Sequence, residues 1–182
     1  MRIVGGDLRG RKLAALGKGD PAAHLRPTSD RMRESVFNIL HSRFGGVEDR
    51  VVLDVFAGTG ALGLEALSRG AARARFLENG RKSAGLIAQN IDTLGVAARA
   101  DLMTRDATRP GPAPEPHDLV FLDPPYGKGL GEKALLALRD AGWVAPEAVI
   151  VWEEASPKAA PEGFTLIDTR PMGGSALTFL KA

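Results

Sequence analysis

From Val51 onward the sequence alternates short apolar runs with helical stretches. The apolar runs predict strands over 51–56, 74–78, 98–103, 117–123, 148–153, 164–170 and 176–181, and the stretches between them predict helices over 61–69, 81–94 and 132–141. Strands buried on both faces and joined by crossover helices indicate an α/β fold with a doubly wound, mainly parallel sheet. No strong helix separates the last two strands, so we expect them to form an antiparallel hairpin. The four prolines between 110 and 116 predict an extended loop inside one domain that covers residues 1–182.

The first 44 residues differ from this pattern and are predicted to form an extension of the domain. Basic and apolar residues alternate over 1–13 around glycines, which predicts a small two-stranded ribbon. After a loop through Gly17, Gly19 and Pro21, a proline and small polar residues at 26–30 predict the start of an amphipathic helix. Residues 1–43 carry nine Lys or Arg and four Asp or Glu, a balance of +5 against −3 for the rest. This charge suits a polyphosphate partner, although a solvated basic surface explains it equally well.

Other features of the composition narrow the function. The chain has no cysteine, and its three histidines are widely separated, so the sequence indicates no disulfide, thiolate nucleophile or metal site. The longest apolar runs are too short to cross a bilayer, and basic residues interrupt the first segment before an export signal could form. We therefore expect a cytoplasmic protein without a membrane partner.

A glycine-rich turn follows the first predicted strand. Residues 58–63 fit the dinucleotide pattern G-x-G-x-x-G, and Glu78 lies where a carboxylate would bind ribose hydroxyls, as suits NAD and S-adenosylmethionine equally. Asp54 favours S-adenosylmethionine, because a carboxylate would face the amino group of the methionine moiety but would repel a pyrophosphate. A simple capping role for Asp54 is the alternative. The predicted cofactor contacts are Asp54, Phe56, Gly58, Gly60, Glu78, Asp106 and Ala107.

The segment Asp123-Pro124-Pro125-Tyr126 ends the fourth predicted strand, at the edge where open sheets bind ligands. Asp123 and the Pro124 carbonyl can accept the two hydrogens of an exocyclic amino group and direct its lone pair towards a methyl group. The prolines fix the backbone in advance, and Tyr126 offers a face on which an extruded base can stack. These four residues are the predicted catalytic set.

Further segments make a resemblance specific. Residues 2–6, 9–13, 26–40 and 54–69 resemble the RsmD-type 16S ribosomal RNA guanine-N2 methyltransferases of bacteria. The resemblance implies a seven-stranded class I methyltransferase (Rossmann-like) sheet with an antiparallel last strand, S-adenosylmethionine as donor, and 16S rRNA within an assembling 30S particle as partner. The basic extension then supplies the expected phosphate contacts, and we expect a monomer. These contacts are Arg2, Arg9, Arg11, Lys12, Arg31 and Arg33.

The chain departs from the family at two places, and other functions remain open. Asn79-Gly80 follows Glu78 where the family usually has an acidic residue two positions on, and Met172-Gly173 stands where a Tyr-Gly pair is common. An adenine-N6 methyltransferase would use the same tetrapeptide as the predicted catalytic set. A nucleotide-binding oxidoreductase or a non-catalytic RNA-binding protein would keep the same sheet.

Overall fold

A seven-stranded sheet with helices on both faces forms the body of the molecule. The structure is a computed structural model that describes residues 1–15 and 29–182. In these ranges the helices are α1 (Asp30–Phe44), α2 (Ala61–Ser68), α3 (Arg81–Leu94) and α4 (Leu130–Asp140). The strands are β1 (Val51–Val55), β2 (Arg73–Leu77), β3 (Ala100–Met103), β4 (His117–Leu122), β5 (Val144–Glu154), β6 (Thr165–Met172) and β7 (Ser175–Lys181).

The strand order is β3-β2-β1-β4-β5-β7-β6. Neighbouring strands from β3 to β5 are parallel, whereas β7 is antiparallel to both β5 and β6. The predicted doubly wound sheet and its terminal hairpin are thereby confirmed. Two strand starts were predicted wrongly: β3 begins after a 3₁₀ turn at Ala97–Arg99, and β5 begins four residues early. The early start of β5 lies beside a register shift in its pairing with β4, where Glu147 has a φ of 66°.

Alternating strand residues pack into two separate cores, one on each face of the sheet. On one face, Val52, Phe121 and Val151 join buried side chains of α1, α2 and α3. On the other face, Val120 and Trp152 join buried side chains of α4. Because successive residues of a strand point to opposite faces, this assignment tells which polar side chains at the strand ends share a face.

The N-terminal segment forms a hairpin that packs on α2. Arg2 and Lys12 form an antiparallel bridge, and the amides of Ile3 and Leu13 donate to the carbonyls of Arg11 and Met1, so the predicted two-stranded ribbon is present but is shorter than residues 1–13. The backbone groups that a longer ribbon would pair are used elsewhere: the amides of Val4 and Gly5 donate to the buried carboxylate of Glu65 at 2.8 and 2.7 Å. The hairpin is therefore attached to the helix that follows the glycine-rich turn.

Helix α1 begins as the sequence predicts. Ser29 is its N-cap, and the Ser29 hydroxyl accepts a hydrogen bond from the amide of Met32. The predicted loop through Gly17, Gly19 and Pro21 and the residues 26–28 lie outside the described residues. Within the described part of the chain, none of the helices has the length and apolar content needed to span a membrane.

Candidate active site

The polar residues singled out in the sequence follow neighbouring strands at one edge of the sheet. Asp106 follows β3, Glu78 follows β2, the glycine-rich turn follows β1, and Asp123 follows β4. Parallel strands lie about 4.8 Å apart and end at the same edge, so these groups form a row along the carboxyl ends. The order of the sheet places Asp106 and Asp123 on opposite sides of the glycine-rich turn.

Left-handed backbone conformations shape the glycine-rich turn. Phe56, Gly58 and Gly60 have φ values of 57°, 58° and 76°, and Gly60 is the N-cap residue of α2. The amide of Gly58 donates to Oε2 of Glu78 at 2.9 Å. A Cβ at Gly60 would lie 3.2 Å from the ring of Phe76, so both conformation and space favour glycine there. The turn thus brings the backbone close to the end of β2.

Asp54 is buried directly beneath this turn. Its carboxylate is 2% exposed, and Oδ2 accepts a hydrogen bond from the Gly63 amide at 2.8 Å. Burial raises the pKa of Asp54 to about 8; the Gly63 hydrogen bond opposes this rise and the nearby Glu78 adds to it. Asp54 therefore caps the turn, which is the role that its sequence position offered as an alternative to cofactor binding. Its contact with a cofactor stays a prediction.

Glu78 uses both of its oxygens to organise backbone. While Oε2 accepts from Gly58, Oε1 accepts from the amide of Gly80 at 2.7 Å. A Cβ at Gly80 would stand 2.9 Å from this same Oε1, so any larger residue there would have to displace the carboxylate. The Asn79-Gly80 departure from the family pattern thus coincides with a close contact that only glycine allows.

Asp106 and Ala107 stand at the far end of the row. Oδ1 of Asp106 accepts from the amide and the hydroxyl of Thr108, both at 2.8 Å. These bonds lower the pKa of Asp106, and Arg109 lowers it further. Ala107 is 3% exposed and packs in the core on the α4 face. A direct contact of Asp106 with an adenine amino group stays a prediction.

Asp123 is half-buried at the end of β4. Burial raises its pKa well above the ordinary carboxyl range, and the negative charges of Glu153, Asp54 and Glu154 raise it further. Its amide donates to the carbonyl of Val55 at 3.3 Å, which fixes the residue against the end of β1. Asp123 therefore lies among other carboxylates, where a positive charge would be stabilised.

Tyr126 is held by a residue that the sequence analysis did not single out. Its hydroxyl donates to Oε1 of Glu153 at 2.8 Å, and the Ser175 hydroxyl donates to the same oxygen at 3.2 Å. Burial and the bond to Glu153 raise the pKa of Tyr126, so the phenol keeps its proton. Pro124 is buried and Pro125 is exposed.

A cavity of about 490 Å³ opens beside Tyr126. Four parts of the chain form its walls: the first turns of α1, the loop after β4, the end of β5, and the residues around the turn between β6 and β7. Its lining residues are Ser29, Arg31, Met32, Ser35, Tyr126, Glu153, Pro171, Met172, Gly173 and Ser175. The cavity thus connects the basic N-terminal extension with the predicted catalytic set, and Met172-Gly173, the second departure from the family pattern, lies in its wall.

The predicted phosphate contacts fall into two groups. Arg2, Arg9, Arg11, Lys12 and Arg31 are exposed. Arg33 is fully buried, and it donates to the carbonyl of Arg2 and forms an ion pair with Asp30 at 2.7 Å. The prediction for Arg33 was therefore wrong, because its guanidinium holds the hairpin against α1 and is not accessible to RNA.

A family model described as Conserved hypothetical protein 95 matches residues 1–181. The chain belongs to this family. The Ribosomal RNA small subunit methyltransferase D of Escherichia coli is 40% identical over 161 residues, which are 88% of this chain and 78% of that protein. The protein of the same name from Haemophilus influenzae is 37% identical over 179 residues, 95% of this chain and 89% of that protein.

Solved structures agree with this membership. The Escherichia coli protein yhhF is 38% identical, with a TM-score of 0.83 and coverage of 100% of this chain and 97% of that one. The precorrin-6y C5,15-methyltransferase of Geobacter metallireducens shares the fold at 18% identity, with a TM-score of 0.67 and coverage of 94% of both chains. The resemblance to RsmD-type methyltransferases and the class I methyltransferase fold are confirmed.

Proposed function

We propose that this member of the family transfers a methyl group from S-adenosylmethionine to the exocyclic N2 of a guanine in 16S rRNA. The observation that carries the proposal is the row of carboxylates at the carboxyl edge of the sheet, in which Asp123 lies between the end of β1, where the glycine-rich turn begins, and Glu153, which lines the cavity beside Tyr126. The two relatives named above are called rRNA small subunit methyltransferases, which supports rRNA as the substrate.

The residues around the glycine-rich turn fit S-adenosylmethionine. Asp54 is buried, and burial disfavours its negatively charged form. A cation bound beside Asp54 would favour that charged form and would be stabilised by it. Glu78 stands at the end of β2, where a carboxylate binds ribose hydroxyls. Of the two groups, Asp54 disfavours the pyrophosphate of NAD, whereas Glu78 suits either cofactor. Asp54, the turn and Glu78 would hold the cofactor, with Asp106 and Ala107 near its adenine.

Asp123 and Pro124 would orient the amino group of the target base. An exocyclic amino group is a weak nucleophile because its lone pair is delocalised into the ring. Asp123 accepts one amino hydrogen and the Pro124 carbonyl accepts the other, so the lone pair points towards the cofactor and the developing positive charge is stabilised. S-adenosylmethionine supplies an electrophilic methyl group when it is bound. The contribution of this chain is orientation and charge stabilisation rather than strong base catalysis.

The target base must leave its helix to reach Asp123. The ring of Tyr126, fixed through its bond to Glu153, provides a surface for stacking. The cavity has a volume within the usual range for ligand sites, and Arg31 at its wall can contact a phosphate. The other exposed cations that we propose as phosphate contacts are Arg2, Arg9, Arg11 and Lys12. The proposed partner is 16S rRNA in an assembling 30S particle, bound by a cytoplasmic monomer.

Nucleoside analysis tests the proposal. The protein is incubated with isotopically labelled S-adenosylmethionine and with 30S particles or 16S rRNA that lack the modification, and the digested RNA is examined by mass spectrometry. We expect labelled N2-methylguanosine at one nucleotide. Labelled N6-methyladenosine would favour the alternative adenine-N6 methyltransferase instead. Calorimetry with NAD separates the oxidoreductase alternative, since binding of NAD without binding of S-adenosylmethionine would contradict a methyltransferase.

A substitution at Asp123 tests its assigned role. Asp123→Ala should abolish methyl transfer and leave the affinity for S-adenosylmethionine largely intact, because Asp123 is assigned to the base. Asp118→Ala is the matched control, since Asp118 is an exposed aspartate of the same strand that bonds to the amide of Val51 at its far end. An equal loss of cofactor affinity in Asp123→Ala would show that the assignment to the base is wrong.

A further inference from the structure

The wall of the cavity beside Tyr126 contains a buried carboxylate to which the proposed function assigns no contact with the base. Glu153 is 9% exposed and belongs to the lining of the cavity. The neighbouring lining groups are the phenol of Tyr126, the hydroxyl of Ser175 and the backbone around Met172. A buried carboxylate in a ligand-sized cavity is costly unless hydrogen-bond donors face it. The Tyr126 hydroxyl is one such donor, and the carboxylate can accept from a donor on the edge of an occupant in the same way.

Strand pairing places Glu153 beside Asp123. Leu122 of β4 pairs with Trp152 of β5, so the next residues, Asp123 and Glu153, lie opposite one another at the carboxyl edge. The alternation of side chains puts both on the face that α1 covers, whereas Glu154 points to the opposite face. The charge of Glu153 also raises the pKa of Asp123, in accord with their proximity. If the amino group of a base reaches Asp123, the ring atoms next to that amino group would therefore lie beside Glu153.

One oxygen of Glu153 is fixed by the protein. Oε1 accepts from the Tyr126 hydroxyl, and the single hydroxyl hydrogen of Ser175 is shared between Oε1, at 3.2 Å, and the carbonyl of Met172, at 2.9 Å. These bonds hold the carboxylate at the base of the cavity and hold the tyrosine ring relative to it. The Glu153 carboxylate therefore orients the tyrosine ring on which a base would stack, and it also faces the edge of that base.

The edges of the two purines differ next to the amino group that would be methylated. In guanine, N2 is flanked by N1–H, a donor, and by N3. In adenine, N6 is flanked by N1 and N7, which are both acceptors. A carboxylate accepts from the guanine N1–H but repels the lone pair of an adenine ring nitrogen. A site built around a specific hydrogen bond discriminates strongly against an analogue that lacks it.

We propose that Glu153 accepts a hydrogen bond from N1–H of the target guanine, beside the amino group held by Asp123, and so selects guanine over adenine. The proposal rests on the proposed function, which supplies the amino-group clamp. It assigns to Glu153 the choice of base, and to Tyr126 and Ser175 the positioning of that carboxylate.

The test uses 2-aminopurine, which keeps the 2-amino group and has an acceptor at N1. Once the methylated nucleotide is mapped, 16S rRNA is assembled by ligation with guanine or 2-aminopurine at that position. We expect the wild-type protein to prefer guanine by about 10- to 100-fold in kcat/KM, the effect of losing a hydrogen bond to a charged group. Glu153→Gln should reduce the preference to less than about threefold, because its amide can donate to N1.

Two controls separate base selection from a structural effect. The glutamine oxygen of Glu153→Gln can still accept from Tyr126 and Ser175, and thermal unfolding checks that the variant is folded. Glu154→Gln removes a neighbouring buried carboxylate on the other face of the sheet and should keep the full preference for guanine. Loss of the preference in both variants would overturn the proposal, as would a full preference in Glu153→Gln.

A binding measurement separates this proposal from the proposed function. The fluorescence of 2-aminopurine rises when the base leaves its stack, so binding of the substituted RNA can be followed without methyl transfer. The measured quantity is the affinity for 2-aminopurine RNA divided by the affinity for guanine RNA. This ratio should be at least about tenfold higher for Glu153→Gln than for the wild type. An unchanged relative affinity would refute the role of Glu153. Absence of methylation of the guanine RNA by the wild type would instead refute the proposed function.

Discussion

Replacing Asp54 by asparagine should change how the stability of the protein depends on pH. The pKa of Asp54 is about 8 in the folded protein and near 3.8 in the unfolded chain. The unfolded chain therefore loses its proton as the pH rises above about 4, while the folded protein keeps it until about pH 8. Since the folded pKa is the higher one, this group lowers the free energy of unfolding progressively across that interval.

The pKa difference sets the size of the effect. The full interval corresponds to roughly 6 kcal/mol, and the part between pH 5 and pH 8 to roughly 4 kcal/mol. Asparagine does not titrate, and its oxygen can still accept from the Gly63 amide. We therefore expect Asp54→Asn to gain up to about 4 kcal/mol in the free energy of unfolding relative to the wild type between pH 5 and pH 8.

Urea unfolding at several pH values measures this gain in the absence of cofactor. The reasoning would be refuted if the two proteins kept a constant difference in the free energy of unfolding from pH 5 to pH 8. Calorimetry adds a second comparison, because a bound cation should lower the pKa of Asp54 and release its proton. The affinity of the wild type for S-adenosylmethionine should then rise up to about tenfold per pH unit below pH 8, and that of Asp54→Asn should not. Asp123→Asn is the matched control and should keep the rise.

Three further predictions concern the cofactor, the base and the RNA. Gly80→Ala should weaken binding of S-adenosylmethionine in calorimetry, because the new Cβ would displace the Glu78 carboxylate, whereas Gly85→Ala has open space and should bind normally. The pH profile of kcat/KM should fall at low pH through the raised pKa of Asp123, and Glu153→Gln should move this fall to lower pH; an unmoved profile would mean that the two carboxylates do not interact. Neutralising Arg9, Arg11 and Lys12 together should weaken RNA binding in filter assays and reduce its salt slope by about 2 to 3, since each charge neutralises one phosphate. An unchanged slope would leave these three as ordinary surface residues.

The sequence predicted the row of site residues because the information is local. Asp54 lies near the end of an apolar strand, Glu78 and Asp123 each follow one directly, and parallel strands bring these ends to one edge without further assumptions. The terminal hairpin was predicted from the absence of a helix between β6 and β7, which is also a local feature. The start of β5 was predicted wrongly, because the irregular pairing near Glu147 depends on the neighbouring strand.

Arg33 shows what the sequence could not reveal. It has the charge of an RNA contact, but in the fold it is surrounded by Arg2, by Asp30 and by Glu65, which is distant in sequence. Charge alone does not report burial, so Arg33 could not be distinguished from Arg31 by its residue type. Glu153 was missed for a related reason. A glutamate at the end of an apolar strand was a signal of the same kind as Glu78, but its bond to Tyr126 depends on the pairing of β4 with β5.

The carboxylates at the sheet edge have a consequence for free nucleotides in the cell. A nucleoside triphosphate concentrates its negative charges beside a single sugar. If its guanine entered the base site, those charges would lie close to Asp123 and Glu153. An RNA strand spreads one charge per nucleotide along a path that can reach the exposed cations of the hairpin and of Arg31. The same acidic interior that suits a cationic methyl donor should therefore exclude GTP from the site, although GTP carries the same base as the target.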